Sequence, residues 1–503
     1  MKSVIRVRAV IVVLALGITG LASAAQTDAT PPSSGNPASP AQIDAAAVMQ
    51  RMAELEKEVE LLRGELQAVK AAPTGTPTLR PALYTPQDAG SAAAPAVAPA
   101  PAAPAPTKPD PLAGLASVLN GATVVGLVDG YYGYNFNKPE LGATSISGAP
   151  GDFTSLRLFD PRNNQFALNL VELGLVKTPD ADNRLGYKAI FGFGDAMQQV
   201  NVISGNDPSF LQYLKEAYFS YLAPVGKGLQ IDVGKFVTPM GAEVIESNAN
   251  WNYSRSLLFN FAIPFYHYGV RAQYTFNPKF SLTGFVVNGW NNVVHDTSFA
   301  CGVPPVPGCY NNSGKTGGLS FAWTATKKLT LTETWLGGPG ATQLDGSHWR
   351  NVLDTVVAYN WNSKLSFQLN GDYGRVEATN TALNPNPFVG PNVPVDWWGA
   401  AGYVKYQFNP KYAFATRYEY YNDPNGYTTG IFDVHGHGPH IQEATVTLER
   451  RIATHLISRL EYRHDESNQA FFPEGKPGTR PVSGQNTMAV GMMFVLEPNE
   501  AAK

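Results

Sequence analysis

The sequence predicts an all-β transmembrane barrel of 16 antiparallel strands, preceded by a short α-helical coiled-coil segment and a Pro/Ala-rich linker. Three observations carry that expectation. Apolar and polar residues alternate along segments of membrane-crossing length, the connections between those segments alternate between short and long, and the chain opens on an export signal.

The alternation is plainest in "KLSFQLNGDY". Leu365, Phe367 and Leu369 fall on one side of an extended chain, with Lys364, Ser366, Gln368, Asn370 and Asp372 on the other. Successive strand side chains point to opposite faces, so this segment separates an apolar phase from an aqueous one. A soluble sandwich would present the same two faces, and the connections decide between the two architectures.

The chain begins "MKSVIRVRAVIVVLALGITGLASAAQ", with Lys2, Arg6 and Arg8 before an apolar run from Ala9 to Leu21 and then Ala22-Ser23-Ala24. This reads as a signal peptide over residues 1–24, too short for the ~20 apolar residues of a spanning helix. No later stretch is continuously apolar for that length, which excludes a helical membrane protein but not a barrel. Charged residues make up 15% of the chain, below the ~25% usual for globular proteins, so little of its strand surface faces saline. A net charge of −3 without a basic block excludes a nucleic-acid partner.

Residues 25–42 form a flexible N-terminus. In residues 43–72, Val48, Met52, Leu55, Val59, Leu62, Leu66 and Val69 alternate spacings of four and three, the seam of a coiled coil. Arg51 with Glu56, Glu58 with Arg63 and Glu65 with Lys70 supply opposite charges where parallel helices in register want them. The segment is expected to be an oligomerisation stalk, with a homotrimer favoured and cell-wall contact an option. A lone amphipathic helix lying on the barrel is the competing reading. Residues 73–119, including "APAVAPAPAAPAPTKPDP", cannot bury a core and form an extended periplasmic tether.

The barrel is placed at residues 120–497, with a tail at 498–503. Its strands are expected at Ala122–Tyr134, Phe166–Lys177, Arg184–Gly194, Tyr213–Leu222, Gly228–Phe236, Tyr266–Phe276, Phe280–Gly289 and Thr316–Ala325. Eight more follow at Lys328–Gly337, Trp349–Asn360, Lys364–Tyr373, Trp397–Phe408, Lys411–Tyr421, His440–Arg450, Thr454–Arg463 and Asn486–Leu496. Their lengths cluster near the ~9–11 residues that a tilted membrane strand requires. One segment disobeys: in "KLTLTETWLG", Glu333 shares parity with Leu329, Leu331 and Trp335, which predicts a bulge or a shifted boundary.

Short connections such as "NPK" at Asn277 and again at Asn409 alternate with long ones such as 135–165, 195–212 and 237–265. Asn-Pro pre-sets the tight turn. Seven short turns and eight long loops place both termini on one side, the pattern of a barrel with periplasmic turns and outer loops.

The third long loop is too apolar for a solvated flap, since Trp251, Leu257, Leu258, Phe259, Phe261 and Ile263 need burial. It also carries Glu243, Glu246 and Arg255. Such a loop is expected to fold into the barrel and narrow it, with Arg271 and Arg417 on the wall facing it as the opposed charges of a constriction. An outer lid or a trimer-contact loop is the alternative.

The run "VGKFVTPMGAE…NYSRSLLF…PFYHYGVR…VVNGW", with "GLVDGYYGYNFNKPE" and "FALNLVELGLVKTP", resembles the putative beta-barrel porin-2, OmpL-like family of Gram-negative outer membranes, from about Gly121 to the C-terminus. The resemblance implies a porin-type channel in the bacterial outer membrane, surrounded by lipid and without catalytic residues.

Cys301 and Cys309 are separated by a Pro/Gly-rich bend in an exported chain, which predicts a disulfide at a loop tip. Asp433, His435, His437 and His440 could ligate a metal, but the intervening glycines favour a solvated loop, so no metal and no cofactor is expected. No phosphate loop, nucleophile elbow or HExxH motif is present, so no enzyme is expected. The function expected is passive diffusion of small polar solutes or ions, with a structural anchor or adhesin as its rival.

Overall fold

The computed structural model describes residues 118–140, 153–201, 209–291, 314–339, 349–377, 386, 388–389, 393–476 and 478–496. The predicted coiled coil, most of the linker and both cysteines lie outside the described residues.

Sixteen strands follow one another: β1 (Thr123–Asn135), β2 (Gln165–Lys177), β3 (Leu185–Phe193), β4 (Leu214–Ala223), β5 (Leu229–Val237), β6 (Tyr266–Asn277), β7 (Phe280–Val287) and β8 (Thr316–Thr324). Then come β9 (Leu329–Gly338), β10 (Arg350–Asn360), β11 (Leu365–Val376), β12 (Val395–Asn409), β13 (Tyr412–Asn422), β14 (His440–Ala453), β15 (Leu456–Ser467) and β16 (Gly484–Val495). Each pairs antiparallel with its sequence neighbours, and β1 closes the barrel on β16 from Leu127 opposite Val495 to Asn135 opposite Thr487. Closure leaves no strand edge unpaired, which is what hydrocarbon demands of a backbone.

Burial along the strands runs opposite to a soluble protein. On β14, Glu443, Thr445, Thr447 and Glu449 are buried, while the intervening Ala444, Val446 and Leu448 are exposed. The apolar side chains face outward and the polar ones inward, as the period-two pattern predicts. All sixteen strands stand where the sequence places them, the largest shift being at β15, expected at Thr454–Arg463 and found at Leu456–Ser467. Lys364, expected on the inner wall, lies in the turn before β11. At Glu333 the expected bulge is absent: β9 begins and ends one residue later than expected, pairs without a register shift on either side, and turns Glu333 outward.

Register shifts do occur elsewhere: three lie beside short turns, at Thr275/Asn277, Gln407/Asn409 and Arg451/Ala453, and two are bulges within the wall. The register of β1 on β2 steps so that Asn169 has no partner, and that of β3 on β4 steps at Lys215. A bulge re-aims one side chain against the alternation. Both of these send a polar group into the lumen, where each is fully buried.

Inside the barrel, apolar residues of the loops pack with inward-facing residues of the wall in one buried cluster. Phe159 of the first long loop (L1, 136–164) packs on Phe259 and Phe265 of the third (L3, 238–265), with ring centroids 5.4 and 5.3 Å apart.

Candidate permeation site

L3 leaves β5 and returns to β6 through a neck closed by the Thr238 N–H, which donates to the Phe265 carbonyl (3.0 Å). Its entry turn needs Gly241, whose φ of +90° disfavours other residues and where a Cβ would lie 2.7 Å from Ile263 Cδ1. The turn is tied to the far wall: Gly241 N–H donates to Asp354 Oδ1 (3.0 Å) and Ala242 N–H to Asn370 Oδ1 (3.1 Å).

Irregular backbone inside a membrane barrel must find its hydrogen bonds in the wall or in lumen water. The wall of β13–β15 supplies them with charged side chains. Glu419 accepts the N–H groups of Leu257 and Leu258 (2.7 and 3.3 Å), and Glu461 those of Tyr253 and Ser254 (2.5 and 2.9 Å). Arginines take the carbonyls. Arg417 donates to Ser254 O (2.8 Å), Arg463 to Arg255 O (2.7 Å), and Arg459 to the carbonyls of Ser247, Asn250 and Asn252 (2.6, 2.6 and 3.0 Å). A charge-assisted hydrogen bond contributes about 1.5–3 kcal/mol. Ordering one residue's backbone costs about 1–2 kcal/mol. A segment pinned this densely between Ser247 and Leu258 is a fixed septum.

The adjoining wall at β1 holds the same segment through Asp129. Its carboxylate accepts Asn169 Nδ2 (2.6 Å), the Ser247 hydroxyl and the Tyr253 hydroxyl (2.9 Å). Asn169 reaches this cluster because of its bulge, and Lys215 reaches Glu246 and Glu172 (2.6 Å) because of the other.

The five residues expected at a constriction are placed as follows. Glu243 and Arg417 meet directly: Arg417 Nη1 donates to Glu243 Oε1 (2.8 Å) and Arg417 Nε to Glu443 (2.7 Å), with Arg417 fully buried. Arg255 turns back into its own loop, donating to the carbonyls of Tyr253 (2.7 Å) and Ile245 and lying 5.0 Å over the Phe159 ring. Glu246 pairs with Lys215. Arg271 joins none of these; it donates to Asp232 (2.8 Å) and stacks over Tyr218 and Phe236.

Between L3 and the wall of β1–β5 a cavity of about 460 Å³ remains. It is bounded by Val125, Val176 and Val495 towards the short-turn end and by Thr238 and Phe265 towards the long loops. Its charged lining is Glu172, Lys188, Glu216, Glu243 and Glu246. Lys188 bridges to Glu216 (2.5 Å), yet its side chain keeps 26% exposure, as does that of Glu246. The other three carboxylates are below 10%, so the solvent-reached charges are one of each sign.

Sequence reasoning missed L1 as a second inner layer. Asn260 Nδ2 of L3 donates to Leu156 O (3.1 Å), Arg157 pairs with Asp160, and Gln485 Nε2 of β16 donates to Ser155 O (2.8 Å). Leu156, Leu158 and Phe159 in one loop were the available signal. Asn169 and Lys215 gave none, because a bulge leaves no trace in composition. The outer loop after β13 binds itself: the backbone N–H groups of His437 and His435 donate to Asp433 (2.9 and 2.8 Å) and hold its carboxyl below the usual value. His440 lies apart on β14, stacked on Tyr420.

Comparison with solved structures finds porin barrels of low identity. The outer-membrane channel DcaP of Acinetobacter baumannii is 12% identical, over 75% of this chain and 97% of that one, with a TM-score of 0.45. An anion-selective porin from Comamonas acidovorans is 11% identical, over 75% and 99%, with a TM-score of 0.45. OmpT of Vibrio cholerae is 11% identical, over 74% and 97%, with a TM-score of 0.44. No curated protein matches. The family described as putative beta-barrel porin-2, OmpL-like, matches residues 121–496, nearly the whole barrel. The chain therefore belongs to the putative beta-barrel porin-2, OmpL-like family and is an outer-membrane β-barrel of porin type.

Proposed function

We propose that the protein is a passive diffusion channel for small polar solutes and ions, with weak charge selectivity. The observation that carries this reading is the cavity along β1–β5, whose solvent-reached charges are Lys188 on the wall and Glu246 on L3. Opposed charges of equal number give a local field that orients a polar solute without favouring one ionic sign. Of the constriction set, Glu246 fronts this passage; Glu243 and Arg417 hold the septum behind it, Arg255 stiffens L3, and Arg271 flanks the wall.

Planar-bilayer recording in a salt gradient tests the reading. The wild type should give discrete open levels with a reversal potential near zero. Lys188→Gln should move it towards cation preference and Glu246→Gln towards anion preference. A silent bilayer would instead support the structural anchor.

The segment plan belongs to the same proposal: a signal peptide at 1–24, a flexible stretch at 25–42, a stalk at 43–72, a tether at 73–119, the barrel at 120–497 and a tail at 498–503. The stalk joins copies into a homotrimer on the periplasmic side, with Cys301 and Cys309 closing a loop tip.

A further inference from the structure

We infer that the outer face of β9–β12 around Glu333 is where copies of this chain meet in the membrane. The inference rests on the association through the stalk proposed above and goes beyond it by naming the face. Glu333 stands in the middle of β9 on the outward parity; Lys235, the other charge that the register turns outward within a strand, lies near the end of β5 and is sealed against Asn201 and Tyr266. Glu333 sits opposite Phe321 on β8 and Thr355 on β10, and its hydrogen bond is from the Thr355 hydroxyl (2.7 Å). Its strand neighbours on the same face are Leu331 and Trp335. Hydrocarbon solvates a carboxylate poorly at mid-depth, and such groups face protein or water instead.

The adjoining surface is shaped to admit a neighbour. Continuing the row from Glu333 through Thr355, the next outward residues are Gly371 and Ala400. Bulky rows flank them, Trp335–Leu353–Tyr373–Trp398 above and Leu331–Val357–Leu369 below. The result is a trough with a carboxyl at one end. The barrel does not require it: a Cβ at Gly371 would meet nothing nearer than 3.9 Å. Small residues that the chain's own packing leaves free let a second backbone approach closely.

The occupant is a second copy because of what precedes the barrel. A heptad segment at 43–72 joined to β1 by a tether at 73–119 draws barrels together with their short-turn ends on one side. Parallel barrels held this way touch laterally. A neighbouring wall can bring hydroxyl or amide donors to Glu333, which lipid tails cannot.

The test uses the full mature chain in liposomes, with Cys301 and Cys309 replaced by serine. A nitroxide is placed at Gly371→Cys, or at Val128→Cys on the outward side of β1 as a control, and its collisional accessibility to oxygen is read. The expected result is accessibility several-fold lower at 371 than at 128, with Glu333→Leu raising the value at 371. Equal or higher accessibility at 371 overturns the inference. Subunit counting by stepwise photobleaching of the same samples separates the two readings. Oligomers with an exposed 371 refute this face alone, whereas single barrels refute the association and the face together.

Discussion

At the scale of single residues, the charged groups of the lumen divide into those sealed against L3 and those left partly exposed. Arg417 is of the first kind, with Glu243, Glu443 and the Ser254 carbonyl on its guanidinium and no exposure. Arg417→Met should cost about 3–5 kcal/mol in barrel stability, because it strands buried carboxylates without a partner. Denaturant unfolding in detergent measures this. Arg417→Lys should recover only part, since an ammonium cannot reproduce the planar fork. Asp433 offers a pH test in an outer loop. Its carboxyl is held below the ordinary 3.8 by N–H groups of His437 and His435, so the loop's order is present above that value and lost as pH falls through the lower folded one. The protection factors of the amides at 435 and 437, taken against the intrinsic exchange rate at each pH, should therefore fall on acidification below pH 3.8. Both residue types were visible in the sequence, but their division was not: parity told which wall residues face inward, and only the path of L3 tells which of them it covers.

At the scale of elements, the strands were legible and the loops only partly so. A strand between hydrocarbon and water is forced to alternate, so "KLSFQLNGDY" and "TMAVGMMFVL" declare themselves residue by residue. Loops inside the lumen obey no such period. The apolar content of L3 showed that it must be buried, while two of its partners, Asn169 and Lys215, depended on bulges. At 214–217, Lys215 and Glu216 are both polar, so a one-residue slip changes nothing in the pattern. Glu333 is the converse case, where a clean register carries a side chain that breaks the rule. L1 supplies a prediction of its own. Phe159 is fully buried between Phe259, Phe265 and Arg255, so Phe159→Ala should cost about 3–5 kcal/mol. Replacing residues 153–162 by a Gly/Ser linker should raise single-channel conductance while leaving the reversal potential in place, since Lys188 and Glu246 are untouched.

At the scale of the whole molecule, polarity is arranged inside out. Val446, Leu448, Leu460, Met492 and Phe494 are more than 40% exposed, whereas Arg417, Arg463 and Glu419 are sealed within. Such a surface is compatible only with a lipid or detergent collar. Removing detergent from the purified mature chain should therefore aggregate it, as light scattering would record. Inside that collar L3 is a fixed septum, and the proposed passage runs through the cavity beside it. The direct measurement is single-channel conductance of Asn252→Cys with Thr447→Cys, in a chain lacking Cys301 and Cys309, before and after oxidation. The native Asn252 Nδ2 donates to Thr447 Oγ1 at 2.8 Å, so the two positions face each other across the contact between L3 and β14. Unchanged conductance on locking is the predicted result; closure on oxidation and reopening on reduction would show that L3 must move for solutes to pass.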